Sequence, residues 1–196
     1  MQKIALAGGI GAGKSAVGGY LTSPGYLVVD ADDMARRVVE PARPAYVALH
    51  DAFGDAVLAP DGTIDRSFLA DVVFHDPTAL RRLNAITHEA IGREIVSVLE
   101  GTDAPVAFIA LPLFRPEHRT VLGLDEVWAI LSDPEIALER LTKLRGMSLD
   151  DATSRLKVQA TNVERAAAAD VVLWNNASLD ELFKAVDDLL AQRALT

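Results

Sequence analysis

Eight consecutive residues, Gly8-Gly9-Ile10-Gly11-Ala12-Gly13-Lys14-Ser15, carry the most specific chemistry in the chain. They follow the apolar run Lys3–Ala7 and lead into Ala16–Leu21, which can continue as a helix. G-x-x-x-x-G-K-S between a strand and a helix is the pattern and the context of a phosphate-binding loop. The glycines let the backbone curl so that successive N–H groups point at phosphate oxygens. The helix that follows turns its positive end toward the same oxygens. In such a loop Lys14 is expected to reach the β- and γ-phosphates as a point charge, and the Ser15 hydroxyl to ligate Mg²⁺. A chance glycine-rich turn is the bland alternative, and the strand-loop-helix context speaks against it. The motif implies a bound nucleoside triphosphate without saying what accepts the phosphoryl group.

A second group of candidate residues is acidic. Asp30-Ala31-Asp32-Asp33 lies at the carboxyl end of the expected strand Tyr26–Val29, where open parallel sheets bind ligands. A hydroxyl that attacks a phosphoryl group needs a carboxylate to orient it and take its proton. Asp32 is the candidate for that role, and the alternative for it is a helix N-cap ahead of Asp33–Arg36. Asp30 is the substitute as base, or a residue of the magnesium shell.

The elements that must position these groups read as alternating strands and helices. After Asp32–Val39, expected as a helix closed by Pro41 and Pro44, come helical stretches around Tyr46–Phe53, Ser67–Phe74 and Pro77–Leu99. Pro105–Leu111 is a third strand, nearly all apolar as a strand covered on both faces should be. Glu126–Leu131 is a fourth, followed by a helix from Asp133-Pro134 to near Gly146. Ser148-Leu149-Asp150-Asp151 reads as a capping box for a helix through Gln159. Asp170–Trp174 is the fifth strand, and Ser178–Glu181 caps a last helix with Leu179, Leu182, Phe183, Val186, Leu189 and Leu190 as its apolar stripe. Five strands alternating with helices predict an α/β, doubly wound, five-stranded parallel sheet.

With 196 residues, half of them apolar, the chain is long enough for one such unit with an insertion. It has no cysteine, hence neither disulfides nor a thiolate zinc site, which fits a reducing cytoplasm. No apolar run reaches the roughly 20 residues of a membrane span, and no leader pattern is legible at the start. A net charge of −9 argues against nucleic acid as a partner. An anionic ligand then requires some of the 19 Lys and Arg residues to gather around the site.

From end to end the sequence resembles the dephospho-coenzyme A kinase family. The phosphate loop, Asp30-Ala31-Asp32 with Ala35-Arg36, and Val38–Pro41 match its motifs. So do Phe53-Gly54 with Asp61–Arg66, Leu83-Asn84-Ala85-Ile86-Thr87-His88, Pro112-Leu113, Arg155 with Gln159, and Ala169-Asp170 with Asn175-Asn176. The resemblance implies a sheet of the P-loop NTPase type with a helical substrate-binding insertion and a small helical lid. Its core would be 1–31 and 101–196, its coenzyme A-binding insertion 32–100 and its lid region 138–159. It implies Mg²⁺ and ATP, bound by Gly9, Gly11, Ala12, Gly13, Lys14, Ser15 and Ala16, with Asn175 against the adenine and Ser15 on the metal. Lys14, Asp32 and Arg140 would be catalytic, Arg140 as a lid arginine above the transferring group. Dephospho-coenzyme A, attacked through its ribose 3′-hydroxyl, would meet Asp32, Arg36, His88, Pro112 and Leu113, in a cytoplasmic protein expected to be a monomer.

The sequence departs from the family pattern at three places. Leu144 stands where a second lid arginine is usual, with Arg145 one position later; Glu89 replaces the proline after His88; and Phe114-Arg115-Pro116-Glu117 displaces an acid after Pro112-Leu113. His50, His75 and His118 match no family role. Two alternatives stay open on this reading: another small-molecule nucleotide or nucleoside kinase, and a nucleotide-binding relative with reduced catalysis.

Overall fold

The almost wholly apolar strands lie in the middle of one sheet. A computed structural model describes residues 1–195. Its strands are β1 (Gln2–Gly8), β2 (Leu27–Asp30), β3 (Val106–Ala110), β4 (Glu126–Leu131) and β5 (Val171–Trp174). All pair in parallel, in the order β2-β3-β1-β4-β5. Ile4 of β1 faces Phe108 on one side and Glu126 on the other. This is the expected doubly wound sheet, with the chain reversing its winding at β1, so that the loop after β1 opens at the switch point.

Ten α-helices accompany it among the described residues: α1 (Lys14–Thr22), α2 (Ala31–Arg37), α3 (Pro44–Phe53), α4 (Arg66–His75), α5 (Pro77–Glu100), α6 (Glu117–Leu122), α7 (Pro134–Lys143), α8 (Leu149–Lys157), α9 (Asn162–Ala167) and α10 (Leu179–Gln192). The chain divides into two compact units, residues 1–30 with 103–196 and residues 31–102.

In the first unit α1 and α10 supply the core on one sheet face. Val17 and Leu21 of α1 and Leu182, Val186 and Leu190 of α10 pack with Ile4, Leu6, Phe108, Trp128 and Ile130. The alternate positions Ala5, Ile109, Ala129 and Leu131 are buried as well, as a sheet covered on both faces requires. Leu179, expected in the α10 stripe, is instead exposed, at the first position of α10. Phe183 stacks on Tyr20 with ring centroids 4.2 Å apart. The polar rim is tied by Glu126, whose carboxylate accepts from Trp128 Nε1 (2.7 Å) and from Arg193 Nε (2.8 Å).

The second unit is helical, with apolar clusters around Leu49, Val57, Ile64 and Leu69 and around Val38, Ala45 and Ala90. Its loop at Ala59–Thr63 is closed by an antiparallel bridge between Leu58 and Ile64, and Asp61 Oδ1 accepts from the Thr63 hydroxyl at 2.7 Å. That bond, with the Thr63 N–H, holds the Asp61 carboxyl below its ordinary range. Glu94 accepts from Arg37 (3.0 Å) and Arg43 (3.4 Å).

Several boundaries differ from the sequence reading. Pro44 does not close a helix; it opens α3 at the first position, where its missing N–H costs nothing. The α7 helix ends at Lys143 rather than near Gly146, and α8 ends at Lys157 rather than Gln159. The six-residue helices α6 and α9 were not expected at all. Ser148 caps α8 by accepting from the Asp151 N–H (3.1 Å), but the reciprocal box forms at Thr161, whose backbone N–H donates to Glu164. No helix among the described residues is long and apolar enough to cross a membrane.

Candidate active site

The phosphate loop leaves β1 at Gly8 and enters α1 at Lys14. Gly11 (φ +78°) and Gly13 (φ +106°) hold backbone angles that side chains resist. The Gly13 carbonyl accepts from the N–H groups of Ala16 (3.0 Å) and Val17 (3.1 Å) and so starts the helix. Lys14 is half-buried, and Ser15 is exposed in the first turn.

Asn175, just past β5 and only 2% exposed, braces the loop from behind. Its Nδ2 donates to the Ala12 carbonyl (2.8 Å), and its Oδ1 accepts from Arg140 Nη2 (3.1 Å). Arg140 Nη1 donates to the Gly11 carbonyl at 3.4 Å. Arg140 and Asn175, singled out from separate parts of the sequence, thus meet on the loop. A Cβ on Gly13 would lie 2.3 Å from Asn175 Nδ2, in addition to the strained φ. Gly13→Ala is therefore expected to cost about 2 kcal/mol or more, a fall in Tm of about 5 °C. Gly19→Ala, in the same helix with open space around it, should stabilise by up to about 1 kcal/mol. Thermal unfolding of the two variants checks this; equal melting temperatures would refute the account of Gly13.

The other flank of the loop meets the connection from α8 to α9. Gln159 Oε1 accepts from the Ile10 N–H (3.0 Å) and from Arg165 Nη2 (2.9 Å). Burial lowers the Arg165 pKa from its ordinary value, a shift opposed by neighbouring Glu164. Arg140 and Arg165 supply the local positive charge that an acidic chain with an anionic ligand requires. Beside them a cavity of about 280 Å³ opens between Gly9, Ile10, Pro134, Ala137 and Leu156, with Ser132 in its wall. No local pattern singles out Arg165, and Gln159 stands out in the sequence only as a matched position. The signal in the sequence is Thr161-x-x-Glu164, the box that starts α9, the helix carrying Arg165.

Beyond α7 the chain turns at once. The Arg145 N–H donates to the Arg140 carbonyl (3.3 Å), Gly146 adopts φ +65°, and Leu144 and Arg145 are both exposed. Pro112 and Leu113 follow β3 and are exposed, and the backbone N–H of Arg115 donates to His118 Nδ1 at 3.2 Å.

The remaining candidates, apart from Asp30, lie in the second unit. Asp30 ends β2, opposite Ala110. Asp32 is the second residue of α2, exposed, and so sits within the helix rather than capping it. Arg36 pairs with Asp33 at 2.6 Å on the surface. His88 is exposed in the middle of α5, neither packed nor at a helix end, and Glu89 beside it pairs with Arg93 (2.7 Å).

A parallel sheet ordered β2-β3-β1-β4-β5, with a glycine-rich loop and its Lys-Ser at the switch point, defines a P-loop kinase. The family model described as dephospho-CoA kinase matches residues 2–181, and the chain belongs to that family. It is 42% identical over 191 residues to a dephospho-CoA kinase of Streptomyces avermitilis, covering 97% of this chain and 93% of that one. It is also 42% identical over 196 residues to that of Leifsonia xyli subsp. xyli, covering 97% and 98%. Among solved structures, one of a Thermus thermophilus protein superposes with a TM-score of 0.81 at 30% identity, covering 97% of each chain.

Proposed function

We propose that Lys14, Asp32 and Arg140 carry the transfer of the γ-phosphoryl group of ATP to the ribose 3′-hydroxyl of dephospho-coenzyme A, giving coenzyme A and ADP. The observation that carries this reading is the braced phosphate loop with the Arg140 guanidinium on it. The backbone of Gly9, Gly11, Ala12, Gly13, Lys14, Ser15 and Ala16, in the loop and the first turn of α1, holds the phosphates. Lys14 neutralises charge on the transferring group, and Arg140 leaves its rest position on Asn175 and Gly11 to do the same. Asn175 backs the nucleotide site on the adenine side. Asp32 orients the 3′-hydroxyl and takes its proton. Residues 32–100, with Arg36 and His88, receive the coenzyme A portion, together with Pro112 and Leu113. Residues 138–159 act as the lid.

Magnesium in kinases is held by phosphates, waters and one or two protein oxygens, not by a protein cage. No group of three or more His, Asp or Glu poised for a metal exists among the described residues, and the exposed Ser15 hydroxyl at the loop exit suits that arrangement. Bound there with ATP, the ion would neutralise charge on the β- and γ-oxygens. An ADP-release assay tests the whole reading. Dephospho-coenzyme A should drive release, whereas a panel of nucleosides and nucleotides should not; a faster acceptor in the panel would replace it.

The lid reading has its own test. Because α7 stops at Lys143 and Gly146 turns the chain, Arg145 is free of the helical direction that would carry it away from Arg140. Arg145 is proposed to serve beside Arg140. Arg145→Ala should then lower kcat by an amount comparable to Arg140→Ala, on the order of 10²-fold. A silent Arg145→Ala together with an accelerated Leu144→Arg would sink this assignment.

A further inference from the structure

Arg165 is an arginine without a counter-ion, set against the phosphate loop. No carboxylate forms an ion pair with it among the described residues. Glu164, its neighbour, spends its carboxylate on the Thr161 N–H (2.7 Å) and hydroxyl (2.8 Å). Arg165 Cζ, Nη1 and Nη2 all lie 3.1 Å from where a Cβ on Gly9 would stand. Three equal distances mean that the guanidinium lies flat over the Gly9 backbone, with its face and not its edge on the loop. Nη2 is engaged by Gln159, which in the same stroke fixes the Ile10 N–H. Nη1 keeps its donors, and the cavity beside it has the Ser132 hydroxyl in its wall, buried and without a hydrogen-bond partner.

A half-buried cation with no ion-pair contact, whose one near carboxylate, Glu164, is turned to Thr161, is suited to an anion that binds against it. A triphosphate is the anion such a loop is built to hold. We infer that Arg165 is a phosphate-binding cation of the ATP site, kept flat over Gly9 by Gln159 as its positioning residue. Through its free Nη1 it adds a charge-assisted contact to the polyphosphate, separate from those of Lys14 and Arg140. Gln159 shares one carbonyl oxygen between Ile10 and Arg165, so the loop backbone and the added charge are set together. This inference rests on the reading of the loop as the ATP site.

Equilibrium binding of ATP and of adenosine to the intact protein tests it, with Arg165→Ala, Arg165→Lys, Arg165→Gln and Lys14→Ala side by side. Arg165→Ala should weaken ATP by about tenfold, the value of one partly buried charged contact, and leave adenosine unchanged. Arg165→Lys should keep most of the affinity, and Arg165→Gln should lose as much as alanine. If Arg165 only packs against Gly9, the glutamine should rescue and the lysine should not, which would overturn the inference. So would an Arg165→Ala protein that binds ATP within twofold of wild type while Lys14→Ala does not. If neither variant changes ATP binding, the ATP-site reading itself fails. Gln159→Ala should weaken ATP less than Arg165→Ala, and the double variant should fall short of the sum of the two, losing beyond Arg165→Ala only what the Ile10 contact contributes. Full additivity would remove Gln159 from the positioning role.

Discussion

Lys14→Ala is expected to lower kcat for phosphoryl transfer by at least about 10²-fold. The ammonium group stands in the first turn of α1, half-buried, where the preceding loop and the helix N-terminus already favour negative charge. The backbone N–H groups there bind a ground-state triphosphate about as well as a transition state. The lysine, as a mobile point charge, follows the negative charge that shifts on the γ-phosphoryl group as its bond breaks. Removing it should therefore reduce kcat more than it raises the KM for ATP. Lys14→Arg should recover only part, because a planar fork does not replace a compact ammonium point charge. Steady-state kinetics with both substrates varied would show the split. A variant that keeps more than about a tenth of the wild-type kcat would count against the assignment.

Asp32→Asn should lower kcat by about 10²- to 10⁴-fold, the range of a lost general base, with little change in ATP affinity. The amide keeps the size and one oxygen but has lost its avidity for a proton. Asp32 stands in the first turn of α2, inside the helix and not at the N-cap position. An acidic side chain there also complements the helix dipole, a contribution worth only about 0.3–1 kcal/mol at an exposed site. The rate should therefore collapse while the isosteric amide keeps ATP binding in place. Asp30, at the end of β2, is the control. If Asp30→Asn alone gives the low kcat with intact ATP binding, the base is Asp30 and the roles are exchanged.

What the sequence made legible follows from how much each signal depended on local spacing. β1, β3 and β4 are continuous apolar runs because neighbours or helices cover both their faces, and β4 was read to the residue. The long helix α5 and the amphipathic α10 announced themselves by periodicity. The two helices of six residues did not, since one turn and a half is too short for a period to show, and α9 has no buried residue to mark a face. Lys14 and Ser15 were legible because their motif is contiguous. Arg140 was legible from its matched lid segment, but its bond to Asn175 joins residues 35 positions apart and has no local trace. Gln159 reaches Ile10 across 149 positions, and only the folded sheet brings such pairs together.

The place of residues 31–102 in the chain has a kinetic consequence. β1 and β3 are neighbours in the sheet, yet Ile4 and Phe108 are separated by roughly a hundred positions, and each such pairing requires a long loop to close first. The intervening segment, by contrast, closes over shorter spans, from the local bridge of Leu58 with Ile64 to the ion pair of Arg37 with Glu94. Local structure of that kind forms within microseconds. Once formed, it shortens the tether that β1 and β3 must close, and the central strand pair can nucleate from a pre-contracted chain. The helical segment should therefore set the tempo of assembly for a sheet to which it contributes no strand.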